Sequence, residues 1–270
     1  MSKAHIYQIY YSEQTRSNLD KGFIPLDNVG QRPDWSEYWP IRNFLLNNDL
    51  DDDALYGFLS PKFALKTNLE ASDVHAFIAS VPESTDVVSF SPFFDASALF
   101  LNVFQHGALE HPNAWPTFVE VAALLTPSVD LNTLVMDSSN TVFCNYFAAK
   151  PRFWRHWLRH AEIVFNVAEA NRTPLAHALN SGTRHNLRES PVKVFVTERL
   201  VSLLLATDRS WRTMSYNPIV LPLLYQKALK VPQELVMLDA LKQSAIATGR
   251  AEYLTVYQQL RERVIAAAMA

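Results

Sequence analysis

The chain is poor in glycine and cysteine, and each shortage argues against a class of site. Only six glycines occur in 270 residues, and none belongs to a Gly-rich phosphate-binding loop. The sequence therefore contains neither the P-loop nor the dinucleotide-binding fingerprint. The single cysteine, Cys144, excludes an intrachain disulfide and argues against a Cys-based zinc site. It lies in the apolar stretch 142–147, where we expect a buried structural thiol rather than a nucleophile.

Long apolar runs are also missing, and the net charge is small. A run of about eighteen uncharged apolar residues, the length that crosses a bilayer, occurs nowhere, so we predict no membrane-spanning helix. The first residues lead directly into a strand-like run with no signal peptide, which predicts a cytoplasmic protein. The net charge of −3 gives no general attraction to nucleic acid or anionic lipid. No nucleic-acid partner is therefore expected.

Strand-like and helical segments alternate along the chain. Short apolar or β-branched runs that end at turn residues predict strands at 5–11, 54–59, 86–91 and 142–148. Helical spacing of apolar residues predicts helices at 115–125, 153–170 and 191–205. Residues 171–190 are polar and are expected to form an irregular loop. This alternation indicates an α/β domain with a mostly parallel sheet flanked by helices.

The length of 270 residues suits one α/β domain with an appendage. We assign residues 1–215 to the α/β domain. Residues 216–270 are predicted to form a C-terminal helical extension, divided by Pro232 and Gly249. Its helices are expected to pack on the main domain or on a partner, including a second copy of the chain.

The most informative stretch is 51–62, where three aspartates precede a short apolar run that ends at Ser60, Pro61 and Lys62. Such a run predicts a buried strand of a parallel sheet. Ligands of open α/β sheets gather beyond the carboxyl ends of their strands, so Ser60 and Lys62 would be the first residues at a site. The aspartates would lie at the opposite edge. The alternative is a core strand followed by a surface loop with a solvated lysine.

Four stretches of the chain occur in an order that resembles a family of bacterial proteins. They are 23–28 (FIPLDN), 37–43 (EYWPIRN) followed by 55–63 (LYGFLSPKF), 142–151 (VFCNYFAAKP) and 196–205 (VTERLVSLLL). Together they resemble the glycosyltransferase-like proteins of capsular and O-antigen polysaccharide loci. The resemblance covers roughly the first two hundred residues. It implies a GT-A-like, Rossmann-related fold that binds a nucleotide sugar.

The resemblance also implies a place for a metal, and the sequence departs from the family there. Such folds usually carry an Asp-X-Asp motif after this strand, which holds a divalent cation against the sugar diphosphate. Here Ser60, Pro61 and Lys62 occupy the position, and a hydroxyl and an ammonium cannot replace two carboxylates as ligands. We therefore predict no metal site and no cofactor. Lys62 would neutralise the diphosphate directly, and a reaction dependent on Mg²⁺ or Mn²⁺ is the less favoured version.

The resemblance assigns further residues to the donor. The end of the first strand would meet the nucleotide base and ribose, and Arg42 would contact a phosphate. Tyr11 would stack on the base, although a core aromatic is the more common outcome. The predicted donor-binding residues are Tyr10, Tyr11, Ser12, Arg42, Ser60 and Lys62. A UDP-sugar is the favoured donor.

Acceptor and catalytic residues are assigned in the same way. Asn145, Lys150 and Arg188 would contact the acceptor or the donor sugar, although Asn145 would equally satisfy backbone groups at a strand edge. Glu198 would act as a general base or stabilise positive charge on the reacting sugar. The competing interpretation is an ion pair of Glu198 with Arg188 or Arg199. Asp95, which follows the strand at 86–91, is the alternative catalytic carboxylate.

The predicted function is transfer of a sugar from a nucleotide sugar to a saccharide or lipid-linked acceptor in surface polysaccharide assembly. A lipid-linked acceptor would bring the protein to the inner face of the membrane as a peripheral protein. The alternative is a catalytically inactive saccharide-binding or scaffold protein of the same pathway, which the missing Asp-X-Asp motif favours. A hydrolase that uses Asp95 and Glu198 is a third interpretation.

Overall fold

The structure is a computed structural model that describes residues 3–185 and 188–269, without the side chains at 184, 185, 188 and 267–269. Its strands are β1 (Ala4–Tyr10), β2 (Ile24–Asp27), β3 (Leu55–Leu59), β4 (Val87–Ser89), β5 (Phe147–Ala149), β6 (Gly182–His185), β7 (Arg188–Pro191) and β8 (Thr213–Ser215). Six of them form the central sheet in the order β2-β1-β3-β5-β4-β8. All strands of this sheet run parallel except β5, which is antiparallel to both neighbours. Strands β6 and β7 form a separate hairpin.

Helices cover both faces of the sheet. They are α1 (Glu13–Ser17), α2 (Tyr38–Asn47), α3 (Phe63–Thr67), α4 (Ala71–Ser80), α5 (Phe94–Leu99), α6 (Val103–Glu110), α7 (Trp115–Leu125), α8 (Pro151–Ala170), α9 (Pro174–Asn180), α10 (Val192–Thr207), α11 (Pro232–Thr248) and α12 (Ala251–Met269). Short 3-10 turns lie at Pro33–Trp35, Pro218–Val220 and Gln226–Lys230. The prediction of a mostly parallel α/β sheet flanked by helices is confirmed.

Strand β3 is buried on both faces, as its continuous apolar pattern predicts. Tyr56 and Phe58 face the larger core cluster, which includes residues of α2, α7, α8 and α10. Leu55 and Leu59 face a second cluster with residues of α3 and α4. Side chains of successive strand residues point to opposite faces, so one short strand supports both layers. The three aspartates before β3 are exposed at its amino end.

The reversed direction of β5 determines which residues reach each edge of the sheet. Ala149 lies opposite Tyr56 near the amino end of β3, while Phe147 lies opposite Ser89 at the carboxyl end of β4. The residues that precede β5 therefore lie where the parallel strands end. A strand was predicted at 142–148, but β5 begins only at Phe147. The backbone before it includes Cys144 and Asn145 with φ of 61° and 54°, which is incompatible with a strand.

One other prediction needs correction, and one strand was not predicted. Residues 171–190 were expected to be irregular, but they contain α9 and the β6–β7 hairpin. Thr173 caps α9 by accepting the Ala176 amide, and Pro174 occupies the first helical position. This Thr-Pro start signal was present in the sequence. The edge strand β8 was not predicted, because three residues are too short for a periodic pattern.

The C-terminal helices pack against α5. Leu235 and Leu238 of α11 and Tyr257 of α12 share a core cluster with Phe94 and Ala98 of α5. Helix α11 begins at Pro232 and is closed by Gly249 in the left-handed conformation, as the sequence predicts. The extension therefore has its own apolar contact with the domain.

Side chains of the extension also donate hydrogen bonds to the last carbonyl groups of α5, which have no partner within the helix. The pairs are Lys242 with Ser97 and Phe100, Tyr257 with Ala98, and Arg261 with Leu99. Lys242 also donates to the Met136 carbonyl at 2.5 Å. Burial lowers the pKa of Lys242 to about 8, so the ammonium remains charged at pH 7. A cation at a helix carboxyl terminus also complements the helix dipole.

Replacement of this buried lysine should destabilise the fold. Lys242→Met leaves three carbonyl groups without their donor, and the free energy of unfolding should fall by about 2–4 kcal/mol. Urea unfolding followed by circular dichroism measures the change. Lys21→Met, at an exposed position, is the matched control and should change stability by less than about 0.5 kcal/mol. Equal stability of the two variants would contradict a supporting role for Lys242.

Candidate functional site

The candidate site lies at the carboxyl edge of the sheet, where β1, β3, β4 and β8 end and β5 begins. Tyr11 follows β1, Ser60 follows β3, and Ser91 follows β4 after one further residue. Asn145 and Tyr146 immediately precede β5 and reach the same edge because β5 is reversed. This is the edge at which open α/β sheets bind their ligands.

A turn formed by residues 142–146, here called the Cys144 turn, is held by side chains from elsewhere in the chain. The Ser202 hydroxyl of α10 accepts the Val142 amide at 2.9 Å and lies 3.3 Å from the Val142 carbonyl. Glu198, one helical turn before Ser202, accepts the Cys144 amide through Oε1 at 3.0 Å. Helix α10 therefore fixes the turn at two points along one of its faces.

The end of β4 supplies a third attachment. The Ser91 hydroxyl accepts the Phe143 amide at 2.9 Å, and the Phe90 amide donates to the Tyr146 carbonyl at 2.8 Å. These bonds satisfy buried backbone groups that a turn would otherwise leave without partners. The Cys144 turn is thus fastened to both the sheet and α10.

Cys144 and Asn145 both have positive φ, which is costly for residues with a Cβ. Backbone strain of this kind persists where the surrounding structure enforces it, and it is common at ligand sites. Asn145 is buried, and its side-chain Oδ1 has no hydrogen-bond partner among the described residues. An unpaired buried amide oxygen is rare in a folded protein and marks a position where a polar group of a water or ligand would be accommodated.

Tyr146, the last residue of the Cys144 turn, contacts Ser60 through its side chain. Their hydroxyl groups lie 2.8 Å apart, and Ser60 Oγ also accepts the Lys62 amide at 3.3 Å. Burial raises the pKa of Tyr146 well above its ordinary value, so the phenol remains protonated. Ser60 is buried and positions the start of α3, while Lys62 is exposed at the rim of the edge.

Charged and ionisable groups converge around Cys144. Lys66, one turn after Lys62 on α3, donates to Cys144 Sγ at 3.0 Å. Burial disfavours the ammonium, but its hydrogen bond to Cys144 and the Glu198 and Glu37 carboxylates outweigh burial and raise the pKa of Lys66. Burial and the Glu198 carboxylate raise the pKa of the Cys144 thiol to about 12, although Lys66 acts in the opposite direction. The sulfur is therefore a thiol at neutral pH.

Tyr11 belongs to the same group. Burial and the nearby Glu37 carboxylate raise its pKa well above the ordinary value for tyrosine. We refer to Tyr11, Glu37, Lys66, Cys144 and Glu198 as the edge cluster. Two carboxylates, one ammonium and two neutral groups thus share a half-buried region at the carboxyl edge.

Lys66 and Glu37 were not among the predicted site residues. Lys66 lies four residues after Lys62, and this spacing places it one helical turn after the N-cap residue of the short helix that leaves β3. Glu37 belongs to the stretch 37–43 on which the resemblance partly rests. Both signals were available, but the contact with Cys144 is a tertiary feature that local spacing does not contain.

Four of the predicted site residues come together at the carboxyl edge: Tyr11, Ser60, Asn145 and Glu198. Lys62 lies at its rim. Ser12 also lies at the end of β1, where its hydroxyl accepts the Thr15 amide at 3.2 Å and caps α1. It was predicted as a nucleotide contact, and the structure gives its side chain a capping role.

Tyr10 and Arg42 have partners away from the edge cluster. The Tyr10 ring lies under the Arg16 guanidinium, 5.6 Å from its centroid, and beside Asp27. Arg42 makes a bidentate ion pair with Glu162 of α8, at 2.6 and 2.9 Å. Because its guanidinium is held between α2 and α8, the expectation that Arg42 meets a donor phosphate needs correction.

Lys150 lies at the opposite edge of the sheet. It follows the end of β5, which runs antiparallel, and its Nζ donates to the Glu83 carbonyl at 2.7 Å. The prediction that Lys150 contacts the acceptor therefore needs correction.

Asp95 is fully buried, and its carboxylate accepts the amides of Leu224 and Tyr225 at 3.0 and 2.7 Å. A catalytic role for Asp95 is therefore corrected to a structural one.

Two predictions concerned partners of Glu198. The side chain of Arg188 lies outside the described residues. Arg199 does not pair with Glu198: its Nε donates to the Val103 carbonyl at 3.1 Å and its Nη1 to the Phe195 carbonyl at 2.9 Å. Glu198 instead accepts the Cys144 amide.

The residues after β3 do not fit a divalent cation. Ser60 is engaged with Tyr146, and Lys62 brings a positive charge, so the donor set is unsuited to Mg²⁺ or Mn²⁺. Within residues 3–185 and 188–269, no group of three or more His, Cys, Asp or Glu side chains is placed to hold a metal ion. No helix of the same residues combines the length and apolarity needed to cross a bilayer.

Comparison of the chain with protein-family models, with curated protein sequences and with solved structures found no match. The site is therefore interpreted from its own geometry and chemistry.

The protonation state of Cys144 can be measured directly. With a thiol pKa of about 12, native Cys144 should react with a disulfide reagent at pH 8 roughly a thousandfold more slowly than in denaturant. Spectrophotometric thiol titration gives both rates. Lys66→Met should not speed this slow native reaction, because the Lys66 ammonium is a group that favours the thiolate. Fast labelling that slows in Lys66→Met would instead indicate a thiolate paired with the Lys66 ammonium.

Proposed function

We propose that the protein is a glycosyltransferase with a GT-A-like domain, which moves a sugar from a nucleotide sugar to a saccharide or lipid-linked acceptor. The observation that carries the proposal is the Cys144 turn. It brings the unpaired Asn145 oxygen and the Glu198 carboxylate to the carboxyl edge of a mostly parallel sheet. Sugar sites need such fixed acceptors and carboxylates beside the place where a nucleotide binds. The sequence resemblance supplies the reaction class.

In this proposal the donor lies along the ends of β1 and β3. Tyr11 contacts the base or ribose, and Lys62 approaches the diphosphate from the exposed rim. Lys66 adds a second cation nearer the reacting centre. Departure of a nucleoside diphosphate places negative charge on the leaving group, and fixed cations stabilise that charge without a metal. The proposal therefore favours a metal-independent reaction with a UDP-sugar.

Glu198 is assigned to the acceptor. One of its oxygens is fixed by the Cys144 amide, so the carboxylate has a defined orientation at the edge. The proposal gives the other oxygen the role of receiving the proton of an acceptor hydroxyl as that hydroxyl attacks the sugar. Asn145 holds a sugar hydroxyl beside it. Neither Asp95 nor Lys150 takes part.

A second candidate is a saccharide-binding or scaffold protein without catalytic activity. The bond between Glu198 and the Cys144 amide favours it, because this bond alone accounts for a carboxylate at this position. Both candidates belong to surface polysaccharide assembly at the cytoplasmic face of a membrane. The two candidates differ in whether the protein catalyses sugar transfer, and not in the ligand that it binds.

Nucleotide binding tests the proposed donor site. UDP, GDP and CMP are compared by thermal shift and calorimetry, with and without Mn²⁺, and a shift with UDP alone is expected. Lys62→Ala should weaken binding about tenfold or more, because a charge-assisted phosphate contact contributes about 1.5–3 kcal/mol. Lys150→Ala, at the opposite edge, is the matched control and should bind normally.

Absence of binding to all three nucleotides would refute the transferase proposal. A requirement for Mn²⁺ would refute its metal-independent form. Equal affinities of the Lys62→Ala and wild-type proteins would remove Lys62 from the site.

Glu198→Gln separates catalysis from binding. The amide oxygen can still accept the Cys144 amide, so folding and nucleotide affinity should be retained. Release of UDP from a UDP-hexose should fall by about 10²–10⁴-fold, the usual contribution of a general base. Glu120→Gln, at an exposed position on α7, is the control and should keep full activity. Full activity of Glu198→Gln would eliminate Glu198 as the base, and nucleotide binding without turnover in the wild type would favour the scaffold.

A further inference from the structure

The segment at 217–230, which follows β8, carries apolar side chains on its outer surface. We call it the apolar segment. Ile219, Val220 and Leu229 are 52%, 66% and 63% exposed, and Leu224 is exposed as well. Scattered exposed apolar residues need no explanation, but a concentration within one short segment is typical of an interaction surface.

The apolar segment is anchored so that these side chains stay outside. Leu221 and Ala228 are buried in two different core clusters. Between them, the Asp95 carboxylate accepts the amides of Leu224 and Tyr225. A fully buried aspartate with two backbone partners fixes the conformation of the loop it holds. The exposed residues cannot turn inward without breaking these anchors.

The charged side chains within the apolar segment are Lys227 and Lys230, and both are exposed. Between Asp208 and Glu234 the chain has no acidic residue. Arg209 and Arg212 also belong to this interval, but they precede β8 and lie toward the amino edge of the sheet, away from the segment. A nearby carboxylate from another element is Glu110, which accepts the Tyr225 hydroxyl at 3.3 Å. In a chain with a net charge of −3, Lys227 and Lys230 give the segment a local positive charge.

We propose that the apolar segment docks on the surface of an anionic lipid bilayer. Its exposed Ile219, Val220, Leu224 and Leu229 enter the boundary between headgroups and acyl chains, and Lys227 and Lys230 contact anionic headgroups. Apolar side chains combined with basic ones are the composition of peripheral membrane anchors. A soluble polyanion would use the charges but leave the apolar side chains in water.

The location of the apolar segment connects this docking with the candidate site. Tyr216, immediately before it, donates its amide to the Ser89 carbonyl at the end of β4 and packs on Phe90. The segment therefore leaves the sheet at the carboxyl edge. Docking would hold that edge near the bilayer, where a lipid-linked acceptor is anchored. This last step rests on the proposed function, whereas the docking itself does not.

Vesicle co-sedimentation tests the docking. The probes are vesicles of phosphatidylcholine with phosphatidylglycerol and vesicles of phosphatidylcholine alone, without any nucleotide. We expect binding to the anionic vesicles only, weakened by salt. Lys227→Glu combined with Lys230→Glu should lower the partition coefficient roughly tenfold or more, and Lys→Arg at both positions should restore it.

A second pair of variants tests how much the exposed apolar side chains contribute to vesicle binding. Ile219→Ser, Val220→Ser and Leu229→Ser together should abolish vesicle binding. The control combines Leu46→Ser, Leu124→Ser and Ile163→Ser, which are exposed apolar positions on α2, α7 and α8, and should bind like the wild type. Circular dichroism verifies that both variants are folded.

Three outcomes would overturn the docking proposal. They are no binding to anionic vesicles, equal loss in the Leu46, Leu124 and Ile163 control, and a dimer in sedimentation velocity that the substitutions in the apolar segment dissociate. The last outcome would mean that a second copy covers the segment. The vesicle assay contains no nucleotide. Its failure would therefore refute the docking proposal without bearing on the nucleotide binding that the proposed function requires.

Discussion

The hydrogen bond between Glu198 and the Cys144 amide, with the Ser202 contacts to Val142, is the interaction on which the site depends. It holds two residues with positive φ immediately before β5. Because β5 is antiparallel to its neighbours, this strained turn lies at the carboxyl edge rather than at the opposite one. One helix face therefore determines both the direction of entry into β5 and the polar groups offered to a ligand.

Features that depend on local pattern were predictable from the sequence. The buried strand β3, the exit at Ser60 and the helix boundaries at Pro232 and Gly249 all follow from short-range signals. The exposed position of Lys62 at the rim also agrees with its place directly after the strand. These residues needed no information from distant parts of the chain.

Features that depend on strand direction or on distant partners were not predictable. Lys150 was predicted at the wrong edge of the sheet, because an apolar run carries no information about whether its strand is parallel or antiparallel. Arg42 has its partner Glu162 120 residues away, and Asp95 bonds the Tyr225 amide 130 residues away. Each looked like an available charged group, and only the tertiary fold shows that it is already engaged. The same reason hid Lys66, whose importance arises from its contact with Cys144.

Helix α5 is fastened at both ends by the C-terminal quarter of the chain. Asp95 in its first turn holds the segment after β8, and its last carbonyl groups accept bonds from Lys242, Tyr257 and Arg261. A helix of six residues has little stability of its own, so it and the extension should open together. In hydrogen-exchange terms, α5, the loop it holds and α11 would form one cooperative unit, separate from the strands of the sheet.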